Sequence, residues 1–107
     1  MGDKIFDPEL MTKVIQALKD VYDPEMPVNI YDLGLIYDIS LEEGPIVRVT
    51  MTLTNPNCPV ADSLPRQVKK SLSKIDGVVE ADVTITFDPP WDYERMSDEA
   101  RLDMGLL

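Results

Sequence analysis

One thiol and a pair of loop carboxylates are the side chains whose types and placement invite chemistry. Cys58 is the only cysteine, and the chain contains no histidine. Upstream of it, Met51 and Leu53 alternate with Thr50, Thr52 and Thr54 in the period of a strand. Asn55-Pro56-Asn57 ends that pattern, because Pro56 has no amide proton for a ladder and asparagine favours turns. Pro59 suits the first position of a helix. Cys58 is therefore expected at or beside an N-cap, where unpaired amides and the positive end of the helix dipole favour a thiolate. Asp62 and the acidic charge of the chain oppose this, so a modestly activated thiol is expected. Position alone reads equally well as an inert small hydrophobe. Asp23-Pro24-Glu25 supplies the carboxylates. Asp23 and Glu25 read either as solvated acids in a turn or as hydrogen-bond acceptors and hard-metal ligands beside a site.

The missing imidazole excludes most catalytic schemes. No Cys–His or Ser–His–Asp machinery can be built from this chain, and one thiol cannot close a zinc site. A thiol enzyme using Asp23 or Glu25 as base is disfavoured, since a carboxylate matches a thiol's proton poorly near neutral pH. The 107 residues carry 20 acidic and 10 basic side chains, a net charge of −10. Such a surface repels phosphate backbones and anionic lipid, so neither nucleic acid nor membrane is an expected partner. The apolar runs are too short to span a bilayer, and no signal segment is apparent. A lone cysteine fits a reducing compartment, and a cytoplasmic location is expected. The length predicts a single domain over 1–107.

Positioning these groups falls to a few elements. Asp7-Pro8-Glu9 opens a first helix with Asp7 as N-cap, and Met11, Val14, Ile15, Leu18 and Tyr22 form its apolar stripe. A first strand is expected over 32–41, with Leu35, Tyr37, Ile39 and Leu41 on one face and Gly34 marking a bulge or a close backbone approach. Glu42-Glu43-Gly44-Pro45 reads as a hairpin turn, and 46–54 as a second strand with Val47, Val49, Met51 and Leu53 inward. The row Arg48, Thr50, Thr52 and Thr54 reads as its exposed face. A second helix buries Ala61, Leu64, Val68, Leu72 and Ile75 and exposes Arg66, Lys69, Lys70 and Lys74. Pro65 favours a short turn over 59–62 and a restart near Ser63. Gly77 ends that helix. A third strand follows over 79–87, with Val79, Ala81, Val83, Ile85 and Phe87 on one face. The helical crossover permits it to run parallel to the second. Trp91 covers the sheet end, and Ser97 to Gly105 forms a capped helical turn. The expected fold is a two-layer α/β unit, α-β-β-α-β, with helices on one face of a small mixed sheet.

Taken in order, these motifs resemble a known family. Val21-Tyr22-Asp23-Pro24-Glu25, Asn29-Ile30-Tyr31-Asp32-Leu33-Gly34-Leu35-Ile36-Tyr37, Met51-Thr52-Leu53-Thr54 with Cys58-Pro59, and Phe87-Asp88-Pro89-Pro90-Trp91 with Met96-Ser97-Asp98-Glu99-Ala100-Arg101 are similar to the SufT/PaaD-like iron–sulfur cluster assembly domains. The resemblance implies the same α-β-β-α-β fold and a role in maturing iron–sulfur proteins. It puts the functional thiol on Cys58, as a transient iron or cluster ligand, with Asp23, Glu25, Thr54 and Asn55 as its polar neighbours. It implies iron–sulfur assembly proteins and client apoproteins as partners. The cysteine-bearing tail of PaaD does not follow Leu107, which points to the SufT-like branch, and Pro65 departs from the pattern of the second helix. The chemistry agrees. One thiolate cannot hold a cluster that needs four ligands, so no cofactor is expected to be stably bound, and further ligands come from a partner, a small thiol or a second copy in a homodimer. A pure protein-interaction module, with Cys58 incidental, is the competing reading.

Overall fold

The computed structural model describes residues 4–23, 28–54 and 63–105. Helix α1 spans Pro8–Lys19, strand β1 Ile36–Glu42, strand β2 Ile46–Met51, helix α2 Ser63–Ser73, strand β3 Glu80–Ile85 and the short helix α3 Asp98–Asp103. Helix α1 starts as its sequence predicts: the Asp7 carboxylate accepts the Leu10 N–H at 3.0 Å, and Pro8 needs no amide partner at the first position. Its buried stripe is Leu10, Val14 and Leu18. Tyr22, expected on that stripe, is exposed, because the helix has ended and the chain there is extended.

The sheet has the order β1-β2-β3. β1 and β2 form an antiparallel hairpin, and β3 lies parallel to β2, as the helical crossover between them permits. Register explains why all helical cover is on one face. Leu41, Val47 and Ala81 align across the sheet, as do Ile39, Val49 and Val83, and these residues form one core with α1 and α2. The opposite rows are polar: Ser40, Arg48 and Asp82, then Asp38, Thr50 and Thr84. Arg48 bridges this face to Glu42 and Asp82. The hydrogen bond to Glu42, then the charges of Glu42, Asp82 and Glu80, hold its guanidinium even more firmly protonated than usual. Beneath the sheet lie Leu18, Val68 and Leu72, each fully buried, and each burial of this kind contributes about 1.5–3 kcal/mol.

Three expectations change. The first strand begins at Ile36, because residues 31–34 form hydrogen-bonded turns. A bulge between Ile36 and Asp38 leaves Tyr37 out of the ladder. Ile36 therefore shares the core face with Ile39 and Leu41, and Tyr37 does not. The third strand is shorter than expected, with Val79 and Phe87 exposed beyond its ends. Pro65 sits in the first turn of α2, where amides have no intrahelical partner, so it breaks nothing. The short turn expected over 59–62 lies outside the described residues, as does Ala61.

Candidate functional site

Asp23 is buried by strand alternation. After α1, residues 21–23 run extended against 28–30: Ile30 donates to the Val21 carbonyl at 2.9 Å and Asp23 to that of Val28 at 3.3 Å. Val21 and Asp23 point inward while Tyr22 points out, so the carboxylate is left only 5% exposed. The solvated-turn reading therefore fails for Asp23. Burying a carboxylate costs several kcal/mol unless it is compensated, so its inward placement is an organised feature.

The turn that follows ties this segment to the sheet. The Asn29 side chain accepts the Asp32 N–H and donates to the Asp32 carboxylate, both at 2.8 Å. Leu35 then donates to the Ile30 carbonyl, and Thr52 donates to that of Leu35 at 2.8 Å. A chain of backbone hydrogen bonds thus runs from Asp23 to the end of β2. On the other side of β2, the Thr86 N–H meets the Met51 carbonyl at 2.9 Å. The exit of α1, the start of β1 and the C-terminal ends of β2 and β3 consequently meet at one end of the sheet.

Asp23 and Thr54 are brought to this end, with Thr54 partly buried. Glu25, Asn55 and Cys58 lie outside the described residues, and so does the N-cap position expected for Cys58. The chain enters that segment from Thr54 and leaves it into α2 at Ser63. Sequence reasoning missed Thr52. It was expected on the exposed face, yet it is fully buried and its hydroxyl has no hydrogen-bond partner among the described residues. The ladder ends at Met51 and the chain turns inward, which breaks the alternation that would have exposed it. It also missed the Asn29–Asp32 clasp, for which the three-residue spacing was the available signal.

Trp91 closes the flank. Its indole N–H donates to the Leu33 carbonyl at 2.8 Å, and its ring lies 5.2 Å from that of Tyr93. The aromatic expected over the sheet end is therefore a bonded strut. No group of three or more His, Cys, Asp or Glu that could hold a metal occurs among the described residues. With one thiol and no imidazole in the chain, a full cluster ligand set cannot come from this protomer.

The described residues thus form a small mixed-sheet α/β unit with a buried acid and a buried threonine near one end of the sheet. The sequence profile of the iron–sulfur cluster assembly protein family matches residues 11–83, and the chain belongs to that family. It is 46% identical over 94 residues to a Porphyromonas gingivalis Fe-S protein maturation auxiliary factor, covering 88% of this chain and 90% of that protein. It is 38% identical over 97 residues to the Bacillus subtilis auxiliary factor YitW, covering 91% and 95%. A crystal structure of a Bacillus anthracis domain of unknown function, DUF59, superimposes with a TM-score of 0.85 at 38% identity, over 92% of this chain and 94% of that one.

Proposed function

We propose that this protein is an auxiliary factor in the assembly or transfer of iron–sulfur clusters, acting through Cys58 and protein partners rather than as an enzyme. The observation that carries the reading is the inward Asp23, hydrogen-bonded through residues 28–35 to the strand end from which the chain runs to Cys58. Relatives named as Fe-S maturation auxiliary factors support it. In this reading the Cys58 thiolate takes iron or a cluster transiently as cargo. Asp23, Glu25, Thr54 and Asn55 supply the polar surroundings, and the remaining ligands come from the donor or client protein. Weak retention follows from the short donor set and is what transfer requires. No helix among the described residues is long and apolar enough to cross a membrane.

The test is Cys58→Ser in cells lacking the native copy. Cluster-dependent dehydratase activity should fall to the level of the deletion while the purified variant keeps its fold. Activity equal to the parent's would instead favour an interaction module in which the thiol is incidental. Anaerobic reconstitution with iron and sulfide, read by absorption and native mass, should show cluster only when partner or small thiol is present.

A further inference from the structure

Beside the sheet end, residues of the 31–37 turn and the 89–95 segment enclose an open groove of about 540 Å3, lined by Tyr31, Gly34, Ile36, Tyr37, Pro89 and Arg95. Its charge is opposite to that of the molecule. The chain carries 20 acidic side chains, yet among the described residues none lines this groove. Arg95 is exposed and makes no ion pair among the described residues. It is nevertheless in contact with its surroundings: its guanidinium lies 4.5 Å from the Tyr37 ring centroid, and the Tyr37 hydroxyl donates to the Pro89 carbonyl at 2.8 Å. A guanidinium stacked on a ring keeps its planar fork of donors available, at low entropic cost, for a carboxylate. Gly34 makes the close packing possible, since any Cβ there would overlap the Arg95 carbonyl. The groove's own lining is partly apolar, with Tyr31, Ile36 and Tyr37 each partly buried. Two tyrosines beside one arginine are the composition of a protein-binding hot spot.

We propose that this groove docks an extended acidic segment of a partner protein, Arg95 taking a carboxylate and Tyr31 and Tyr37 the neighbouring apolar side chains. The inference rests on the maturation-factor reading, which requires a protein partner but does not seat it. The competing cationic surface is the outward row of α2, Arg66, Lys69 and Lys70, continued by Lys74 just past its end, which carries no aromatic side chain. A small free anion would not need the tyrosine rings that line the groove. The seat also adjoins the chemistry, because the Leu35 carbonyl that holds Thr52 belongs to the chain segment lining the groove.

The experiment is an NMR titration of the full chain with a blocked hexapeptide of alternating glutamate and leucine. Its controls are the same peptide with glutamine for glutamate, and blocked glutamate alone. Shifts should concentrate at the Gly34, Tyr37 and Arg95 amides and the Trp91 indole. A lost charge-assisted bond predicts about tenfold weaker binding for Arg95→Gln and for the glutamine peptide, with Arg95→Lys between. Three results would overturn the proposal: shifts that follow α2 and ignore Arg95→Gln, no shifts at the groove, or blocked glutamate binding as tightly as the hexapeptide. The glutamine peptide tests the parent chain, so the outcome does not hang on a variant's folding. Cys58→Ser is read separately in cells, so a silent groove leaves the proposed function standing.

Discussion

Thr52 states the residue-scale problem most clearly. Native proteins pair nearly all buried polar groups, and an orphaned hydroxyl costs about 1–3 kcal/mol. This one sits at zero exposure in a strand end otherwise made of Met51 and Leu53, both buried. Valine has nearly the same shape and would remove the cost, so stability alone does not account for threonine. Thr52→Val should therefore raise the unfolding free energy by about 1 kcal/mol in urea titrations. If the hydroxyl serves the site, cluster-dependent enzyme activity in cells should fall in the same variant. A stability gain with full activity would make Thr52 idle packing, and a stability loss would show that the hydroxyl has a partner.

Among the elements, the joint between the 31–35 turn and the C-terminal segment is closely packed. Gly34 has φ +85°, and a Cβ there would lie 2.2 Å from the Arg95 carbonyl oxygen. Gly77, at φ +92° after α2, has nothing within 4 Å of the same added atom. The two positions separate a conformational penalty from a collision. Gly77→Ala should cost about 1 kcal/mol, the ordinary price of a left-handed alanine. Gly34→Ala adds displacement of backbone and should exceed about 3 kcal/mol, with loss of the Trp91–Leu33 bond visible in the indole N–H resonance. Equal penalties would show that the 93–97 segment yields freely. Gly34 also marks what was legible in the residues. Its close approach, the Asp7 and Ser97 caps, the parallel third strand and the core faces of β2 all follow from local pattern. The Tyr37 bulge did not, because one extra residue shifts the alternation on one side of it, here at Ile36, and leaves no compositional mark. At the site, the carboxylate of Asp23 was legible as chemistry but not as buried. Its burial arises from pairing with residues 28–30, a contact that the sequence of 21–25 does not contain.

For the whole molecule, a net charge of −10 coexists with a sheet that ends in an unpaired strand within the order β1-β2-β3. The β1 side is partly covered, since Ile5 donates to the Leu41 carbonyl and Lys4 pairs with Glu42. β3 has no such cover among the described residues, and unpaired edges invite strand addition. Its side chains are placed against that outcome: Glu80 and Asp82 are exposed along the edge, while Val83 and Ile85 are turned partly into the core. In antiparallel self-pairing centred on Val83, Asp82 would face Thr84 of the second copy and Glu80 would face Thr86, with like charges on adjacent rungs of two acidic molecules. Val79 and Phe87, both exposed, would meet across the same register and favour it. The acids and the apolar ends therefore pull in opposite directions, and removing the acids should decide the balance. Glu80→Thr with Asp82→Thr raises β propensity and lifts the repulsion, leaving Arg48 its contact to Glu42. Sedimentation velocity should show self-association at least about tenfold tighter than the parent's at low ionic strength, the gap narrowing as salt screens the parent's charge. An unchanged sedimentation coefficient would mean that the edge is guarded by something other than its two carboxylates.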